Sequence, residues 1–558
     1  MPAPTSSATL PASPPGSAPA GGGRRLSPPW TPRRVIAWIA AAGSLGLVVV
    51  AALQVGVEPD RLIDGWQDMG NLLERMTPIE APNLAQLAKP LLDTLMMAVA
   101  GTALAVVASV PLAFLAAANT SPHPAARAVA RAVILGARSI PDLIYALIFV
   151  RVLGVGILPG VLAIAVYSTG MVGKLFADAI EETDPGTSQA LKAVGARRLQ
   201  IITTGVLPQV SPSLVSVSLY RLDMNVTASA VLGFVGAGGI GFELYTTLRT
   251  LQYQKGLGIA LIIIALVITV ERLSAVVRSR LTTHHDSPSA GGPTSRGQRR
   301  LSAPWTRTRV LRQIAIIVAG AVIIASFAGL EISPLTLAAA VPALFVGLAD
   351  FWPPDFASVA DLLPAAMTET LSIAITATAM ATLLSVPIAA FAARTIAPHP
   401  ALYHAARMLI VLCRGLPPLL LALIFVSAFG LGPFAGAIAL GLATIGMTAK
   451  LMADAIEHLD SGPATALRAV GATRPQQNAA AVIPQVAPSF VSTVLFTLDS
   501  TIRSSTIVGV VGAGGIGFIT YQSVHTLQFQ TTTAVLIVIF TTVFCVERAA
   551  DTIRKRIL

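Results

Sequence analysis

An internal repeat constrains this chain more than any other feature of its sequence. The stretch LDMNVTASAVLGFVGAGGIGF begins at residue 222, and the stretch LDSTIRSSTIVGVVGAGGIGF begins at residue 498. Pro111 and Pro387 have the same separation, since 498 − 222 and 387 − 111 both equal 276. This constant offset predicts two homologous halves with the same fold.

Composition places both halves in a membrane. Of the 558 residues, 54% are hydrophobic and 12% are charged, and the mean hydropathy is +0.73. Several apolar runs approach the ~20 residues that a helix needs to cross a bilayer. The net charge of +11 comes from arginines between apolar runs, as the positive-inside rule predicts, and not from one basic face. We predict a polytopic protein that contacts the lipid bilayer and binds no nucleic acid.

The first half contains six predicted spans, and the second half is expected to repeat them. They cover residues 35–54, 90–118, 128–153, 158–180, 207–232 and 258–277. Because the number of spans is even, both ends of each half lie on one side of the membrane, and the arginines place that side in the cytoplasm. The predicted fold class is an all-α polytopic membrane protein with two six-helix halves in parallel tandem repeat.

This pattern divides the chain into four segments. Residues 1–34, rich in Pro, Ala, Ser and Gly, are predicted to form a disordered cytoplasmic tail. The two repeats cover residues 35–280 and 310–558, and residues 281–309 are expected to link them in the cytoplasm. The acidic stretch 55–89 is expected to be an external loop, and both termini are expected to be cytoplasmic.

Prolines and glycines interrupt the predicted helices. Pro111, Pro141, Pro387 and Pro417 fall inside spans, where each would kink its helix, either as a packing irregularity or as a hinge. A glycine cluster follows span five of each half, and we expect a broken, closely packed segment that lines a cavity. The predicted gate glycines are Gly236, Gly238, Gly239, Gly241, Gly512, Gly514, Gly515 and Gly517. They satisfy G-x-G-x-x-G, but without the preceding strand that a dinucleotide site needs.

An ionisable residue precedes each glycine cluster. Asp223 and Asp499 lie within apolar runs, and small hydroxyl residues follow them. A charge in such a setting usually faces a cavity or a partner, and these residues therefore predict a solute path.

A second repeated segment lies between spans four and five. It reads SQALKAVGARRLQIITTGVLP from residue 188 and TALRAVGATRPQQNAAAVIP from residue 465. Pro185 and Pro463, each close behind an Asp or Ser, are helix-start signals, and apolar residues recur three positions apart among basic ones. The pattern predicts a short amphipathic cytoplasmic helix, which could rest on lipid headgroups or contact a partner.

These segments resemble the EAA loop of ABC importer permeases, in which a glycine is followed after thirteen residues by a proline. Gly195 and Pro208 have this spacing, as do Gly471 and Pro484 (208 − 195 = 484 − 471 = 13). The leading acid of the loop is replaced by glutamine or threonine. The resemblance implies coupling helices that dock on an ATPase subunit at residues 187–200 and 463–476, through Gln189, Ala190, Leu191, Gly195, Ala196, Thr465, Ala466, Leu467, Gly471 and Ala472.

With YRLDMN before the first glycine cluster, the resemblance narrows to permeases of phosphonate, phosphite and phosphate importers. It implies the type I importer fold and, because such permeases usually pair two subunits, a complete pore in one fused chain. It also implies a cytoplasmic ABC ATPase dimer that holds ATP and Mg, an extracytoplasmic solute-binding protein, and a location in the bacterial inner membrane. The chain has no G-x-x-x-x-G-K-[ST] motif, so it is expected to hold no cofactor and not to be an enzyme. Its two cysteines predict no metal site.

The solute that this resemblance implies is a tetrahedral oxyanion. Arg503 could offer paired N–H donors to its oxygens, while hydroxyl groups supply weaker ligands that would not trap it. Alternatively, Arg503 neutralises Asp499, four residues earlier on the same helix face. The predicted path residues are Arg503, Asp223, Asp499, Asn225, Thr227, Ser229, Thr501, Ser504 and Ser505.

Three other functions remain open on the sequence alone. A permease of the same fold could move methionine or a quaternary amine, although an amine would favour an aromatic cage that these motifs lack. An ion-coupled secondary transporter could share the tandem halves, but such carriers often have inverted repeats. A membrane-embedded enzyme would need convergent acids, histidines or metal ligands at one depth.

Overall fold

The computed structural model describes residues 32–282 and 307–557. The described residues fall into two compact units that divide between Leu47 and Val48, and the packing below concerns the second unit. Almost all of the predicted tail 1–34 and of the predicted linker 281–309 lies outside the described residues, so the domain boundaries remain predictions. The described residues form helices and turns without a strand.

The first repeat contains eleven α-helices. They are α1 (Pro32–Val55), α2 (Pro59–Met76), α3 (Leu84–Ala116), α4 (Pro124–Ser139), α5 (Asp142–Leu153), α6 (Ile157–Glu181), α7 (Pro185–Ala193), α8 (Arg198–Gln200), α9 (Leu207–Leu232), α10 (Gly239–Arg249) and α11 (Tyr253–Thr282). A π-helical segment, Ile201–Val206, leads into α9.

The second repeat contains the same series. Its helices are α12 (Arg307–Gly329), α13 (Pro334–Ala349), α14 (Leu363–Ala392), α15 (Pro400–Arg414), α16 (Pro418–Phe429), α17 (Pro433–Glu457), α18 (Gly462–Ala469), α19 (Arg474–Gln477), α20 (Ile483–Val508), α21 (Gly515–His525) and α22 (Phe529–Ile557). Here too a π-helical segment, Asn478–Val482, leads into α20.

Most of the predicted spans are present. Helices α3, α6, α9 and α11, with their equivalents α14, α17, α20 and α22, are long and apolar enough to cross a membrane. Helix α1 covers the predicted span 35–54 and contains a shorter apolar stretch, Ala42–Val55. Inside this bundle α3 packs on α6 and α14 on α17, where small residues allow close approach.

The predicted span over residues 128–153 is broken at Pro141 and not merely kinked there. Helices α4 and α5 meet at 86°, and the equivalent helices α15 and α16 meet at 83°. Pro141 and Pro417 directly precede the second helix of each pair, because a proline lacks the N–H that would continue the preceding helix. These two prolines therefore end a helix, whereas Pro111 and Pro387 lie inside α3 and α14 as predicted.

The acidic stretch 55–89 is not simply a loop, because it contains helix α2. This helix packs on α16 of the other repeat as well as on α11 of its own. The contact is close, since a Cβ atom placed on Gly65 would lie 1.8 Å from Phe429. The sequence analysis missed α2, although its apolar residues recur every three to four positions from Leu62 to Met76, as they do in an amphipathic helix.

The leading helices of each repeat pack against the opposite repeat. Helix α12 packs on α3, and α13 packs on α5. In the other direction α2 packs on α16, and Gln54 near the end of α1 accepts a hydrogen bond from Ser372 of α14 over 2.5 Å. The two repeats are therefore interlocked through exchanged arms, which are α12 with α13 and the segment from Gln54 through α2.

Glycines break span five in both repeats. After α9, Gly236 has a φ of +93° and Gly239 a φ of +72°; after α20, Gly512 and Gly515 have values of +91° and +71°. Such values are readily available only to residues without a Cβ atom. The chain reverses at each break, and the helix that follows returns along the end of the span.

The reversal brings two backbones into direct contact. A Cβ atom on Gly241 would lie 1.7 Å from the carbonyl oxygen of Ala230, and one on Gly517 would lie 2.0 Å from that of Thr506. A side chain at either position cannot be accommodated without moving the backbone.

We therefore expect Gly241→Ala to lower the free energy of unfolding by about 1–3 kcal/mol, the usual range for overpacking. The measurement is thermal unfolding of the detergent-purified chain. Gly70→Ala in α2 is the control, because no heavy atom lies within 4 Å of its Cβ position and alanine favours helix. Equal midpoints for Gly241→Ala and the wild type would contradict the tight reversal.

Candidate functional site

A cavity of about 280 Å³ lies between the two repeats. Helices α5, α6, α9 and α11 of the first repeat form one side, and α15, α16, α17 and α20 of the second repeat contribute to the other. The polar lining residues are Asp142, Tyr167, Arg221, Asp223, Thr227, Glu271, Arg414, Thr444, Thr497, Ser500 and Ser504. Charged groups are costly inside a membrane bundle, and this concentration therefore indicates a functional cavity.

Arg414 is held by two carboxylates of the opposite repeat. Its guanidinium forms an ion pair with Glu271, and Nη2 lies 3.8 Å from Oδ2 of Asp223. The side chains of Arg414, Glu271 and Asp223 are 15%, 12% and 5% exposed. Because charges removed from water need partners close by, this cluster ties α15 to α11 and α9.

An equivalent ion pair joins Arg138 of α4 to Glu547 of α22. Its members lie one repeat away from those of the first pair, because 414 − 138 and 547 − 271 both equal 276. Each pair therefore crosses from one repeat to the other, and the two pairs obey the internal symmetry of the chain.

The surroundings of the two pairs differ. Arg414 has Asp223 as a second carboxylate, but the equivalent acid Asp499 is paired with Arg503 on its own helix. Nη1 of Arg503 donates to Oδ1 over 3.1 Å, and Nη2 donates to Oδ2 over 2.8 Å. In the first repeat Thr227 stands where Arg503 would be, and this leaves the cluster around Arg414 with one more negative charge.

Arg221 is a cation that only the first repeat carries, because Thr497 occupies the equivalent position. Its Nε donates to Oγ of Ser168 over 2.9 Å, and its guanidinium carbon lies 4.8 Å from the centre of the Tyr167 ring. The residue is 8% exposed. Asp142 lines the same cavity and lies within electrostatic range of Arg221.

Three of the nine predicted path residues line the cavity, namely Asp223, Thr227 and Ser504. Arg503 and Asp499 instead occupy the bidentate ion pair on α20, which is the alternative that the sequence offered for Arg503. Contact between either of these two residues and a solute remains a prediction.

The other four predicted path residues are buried between helices and are not among the lining residues: Asn225, Ser229, Thr501 and Ser505. Asn225 accepts a hydrogen bond from Ser168 over 3.0 Å and donates to Thr102 over 2.8 Å. Thr501 and Thr378 share a hydrogen bond of 2.7 Å at the equivalent place. In this conformation Asn225 joins α9 to α3 and α6, and Thr501 joins α20 to α14.

The predicted gate glycines follow the ends of α9 and α20, just beyond the cavity. Val231 and Ile507, near those ends, belong to its lining. Main-chain hydrogen bonds fix the breaks, since Gly156 donates to Gly236 O over 3.1 Å and Gly432 donates to Gly512 O over 3.0 Å. A gating role for these glycines remains a prediction.

The segments predicted to contact an ATPase form short surface helices, α7 and α18. Each ends at a glycine in the left-handed region, Gly195 with a φ of +79° and Gly471 with a φ of +82°. Asp184 accepts the hydrogen bond of Gly186 N at the start of α7, as the sequence predicts. At the start of α18, Asp460 provides this acceptor instead of the predicted serine.

Most of the predicted coupling residues are exposed. Leu191, Leu467 and the two alanines at positions 196 and 472 are half-buried, and the other six are exposed. Val194 and Val470, one residue before the turn glycines, are each 80% exposed. Each segment thus presents an apolar tip at the surface.

The chain matches the family described as "Binding-protein-dependent transport system inner membrane component" over residues 109–283 and 385–558. The two matches together cover more than half of the sequence. The chain belongs to this family. It is a membrane-spanning permease subunit of an ABC importer, and the predicted family and fold class are confirmed.

Two curated relatives agree with this assignment. The "Phosphate-import permease protein PhnE" of Mycolicibacterium smegmatis is 42% identical over 512 residues, which cover 91% of this chain and 93% of that protein. The "Phosphite transport system permease protein PtxC" of Stutzerimonas stutzeri is 45% identical over 42% of this chain and 85% of that protein. A solved structure of the inward-facing MetNI methionine ABC transporter is 22% identical, with a TM-score of 0.33, over 36% of this chain and 99% of that chain.

The sequence analysis missed four charged residues of the permease cavity: Asp142, Arg221, Glu271 and Arg414. Arg221 carried a usable signal, because it lies two residues before Asp223 inside the same apolar span. No sequence signal points to the pairing of Arg414 with Glu271, because the two residues belong to different repeats and no spacing along the chain connects them.

The unequal surroundings of the two cross-repeat ion pairs lead to a prediction about stability. Removing one partner of a buried ion pair usually costs about 3–5 kcal/mol. We expect Glu547→Gln to approach this loss, because Glu547 is the only described ion-pair partner of Arg138. Glu271→Gln should cost clearly less, because Arg414 keeps Asp223 nearby.

The measurement is chemical or thermal unfolding of the purified permease. Glu74→Gln on the exposed face of α2 serves as the control and should change the free energy of unfolding by less than about 0.5 kcal/mol. An equal or larger loss for Glu271→Gln than for Glu547→Gln would show that Asp223 does not compensate.

Proposed function

We propose that this permease moves a small tetrahedral oxyanion, phosphate or the related phosphite or phosphonate, through the cavity between its repeats. The observation that carries the proposal is the cavity lining itself, which combines two arginines with five serine or threonine hydroxyl groups. Guanidinium groups match the oxygens of phosphate-like anions, and hydroxyl groups supply further ligands. The names of the relatives support the same solute class.

The carboxylates of the cavity also suit transport. Asp223 and Glu271 compete with the solute for Arg414. A transported ion must be bound strongly enough to enter and weakly enough to leave, and built-in competitors lower its residence time. A cavity of about 280 Å³ at the low end of ligand-site volumes favours a small solute.

The partners of the permease are part of the same proposal. A cytoplasmic ABC ATPase dimer, holding ATP and Mg, would dock on the segments 187–200 and 463–476, and the permease itself would not be catalytic. An extracytoplasmic solute-binding protein would deliver the oxyanion at the opposite face. In this proposal the chain lies in a bacterial inner membrane and both termini are cytoplasmic.

Reconstitution tests the proposal. The tagged permease is purified from its native membrane with its ATPase subunits and placed in liposomes with the solute-binding protein. We expect ATP-dependent uptake of radiolabelled phosphate, phosphite or methylphosphonate. Uptake of only methionine or only a quaternary amine would show that the proposed solute class is wrong. Uptake without ATP under an ion gradient would indicate a secondary transporter.

The exposed apolar tips give a separate test of ATPase docking. Val194→Asp together with Val470→Asp places a charge on each tip, and burying an unpaired charge in an interface is costly. We expect at least a tenfold loss of co-purifying ATPase, measured by quantitative gel analysis of the affinity-purified complex.

Val155→Asp is the matched control for this docking test. Val155 is 77% exposed and lies just before α6, whose 25 residues separate it from α7 by about 37 Å at 1.5 Å per residue. The control should retain the ATPase. Full ATPase recovery in the Val194→Asp, Val470→Asp variant would contradict docking at these tips.

A further inference from the structure

We propose that Arg221 is the residue that binds the oxyanion inside the membrane, and that this site exists once per chain, on the first repeat only. The inference rests on the proposed function and adds to it the position and the asymmetry of the solute site. The sequence pattern points to Arg503 and not to Arg221, and the internal symmetry of the chain would predict two equivalent sites instead of one.

The geometry of Arg221 leaves its terminal nitrogens available. Its Nε is fixed by Ser168, and its guanidinium plane is supported by the ring of Tyr167. The terminal Nη1 and Nη2 atoms have no hydrogen-bond acceptor among the described residues, although the residue is more than nine-tenths buried and lines the cavity. A cation held in this way is already oriented before a ligand arrives. Binding of a ligand to Nη1 and Nη2 therefore costs little side-chain conformational entropy.

The other arginines near the cavity already have carboxylate partners. Both terminal nitrogens of Arg503 donate hydrogen bonds to Asp499 in a bidentate pair. Arg138 and Arg414 are ion-paired with glutamates of the opposite repeat. A solute could bind any of these three only by breaking a buried ion pair, which is costly. Arg221 is therefore the cation that an oxyanion can reach at the lowest cost.

Asp142 does not bind the terminal nitrogens of Arg221. Its Oδ1 accepts the backbone N–H of Leu143, and no hydrogen bond or ion pair joins the two side chains in the described structure. Asp142 nevertheless lines the same cavity. Its side chain therefore leaves the Nη1 and Nη2 donors of Arg221 open to an anion.

The wall contributed by the second repeat completes the site. Thr497 stands at the position equivalent to Arg221, and Thr444, Ser500 and Ser504 line the cavity with it. These residues offer hydroxyl groups to the oxygens that face away from the guanidinium. Arg221, which has no carboxylate partner within the described part of the chain, on one wall and these hydroxyl groups on the other give a single, weak site for a tetrahedral anion.

The test uses the reconstituted complex of permease, ATPase and binding protein, with radiolabelled inorganic phosphate, phosphite and methylphosphonate as probes. Arg221→Gln should lower uptake per ATP hydrolysed by about 10–100-fold, as expected for lost hydrogen bonds to a charged group. ATP hydrolysis without solute and recovery of the complex should stay at wild-type levels. Arg151→Gln, at an exposed arginine of α5, is the matched control and should transport normally.

A second variant separates solute contact from a structural role. In the double variant Arg221→Thr, Thr497→Arg, the cation moves to the equivalent position on the opposite wall. If Arg221 binds the anion, this exchange should recover at least a tenth of the wild-type uptake, whereas Arg221→Thr alone should not.

The outcomes distinguish the two proposals. If wild-type complexes transport none of the three anions, the proposed function and this inference both fail. If the wild type transports them and Arg221→Gln does so equally well, the inference fails and the proposed function stands. If the single variants lose uptake and the exchange recovers none, Arg221 has a structural role and the inference also fails.

Discussion

The two cross-repeat ion pairs are the interaction on which the rest of the structure depends. Arg138–Glu547 and Arg414–Glu271 each join a helix end of one repeat to the last span of the other. All four side chains are at most 15% exposed, so neither partner can be separated from the other without leaving a buried charge. The pairs therefore favour one relative placement of the repeats, and the cavity lies where that placement leaves space between α9 and α20.

The cavity retains the symmetry of the backbone but not that of the charges. The glycine breaks, the helix series and the ion pairs recur at the same offset. At three positions in the cavity, however, the first repeat has Asp142, Tyr167 and Arg221, where the second has proline, alanine and threonine. The backbone is constrained by packing in both halves, whereas a cavity position can change without opening a void. Divergence is therefore expected at the cavity wall.

The sequence predicted the features that depend on local pattern. The spans followed from apolar length, the tandem fold from the constant offset, and the short surface helices from Asp184 and Pro185 with the glycine that follows. At Pro141 the sequence predicts a kink and not a break, because it does not show whether neighbouring helices will restore the lost backbone bond. The pairing of Arg414 with Glu271 was beyond reach because it depends on how two repeats are placed in space. The partner of Arg503 was predictable, since both residues lie on one helix face.

The exchanged arms show what the covalent fusion of the two repeats contributes to their assembly. Helices α12 and α13 pack on α3 and α5, so the first repeat is covered by a segment that belongs to the second. In a single chain that segment is present at an effective concentration on the order of millimolar, set by the connection and not by expression level. Two separate half-size proteins would also form like-with-like pairs, with two copies of Arg221 in one cavity or none. In the fused chain, the cavity between the repeats has one Arg221, and Thr497 stands at the equivalent position of the other repeat.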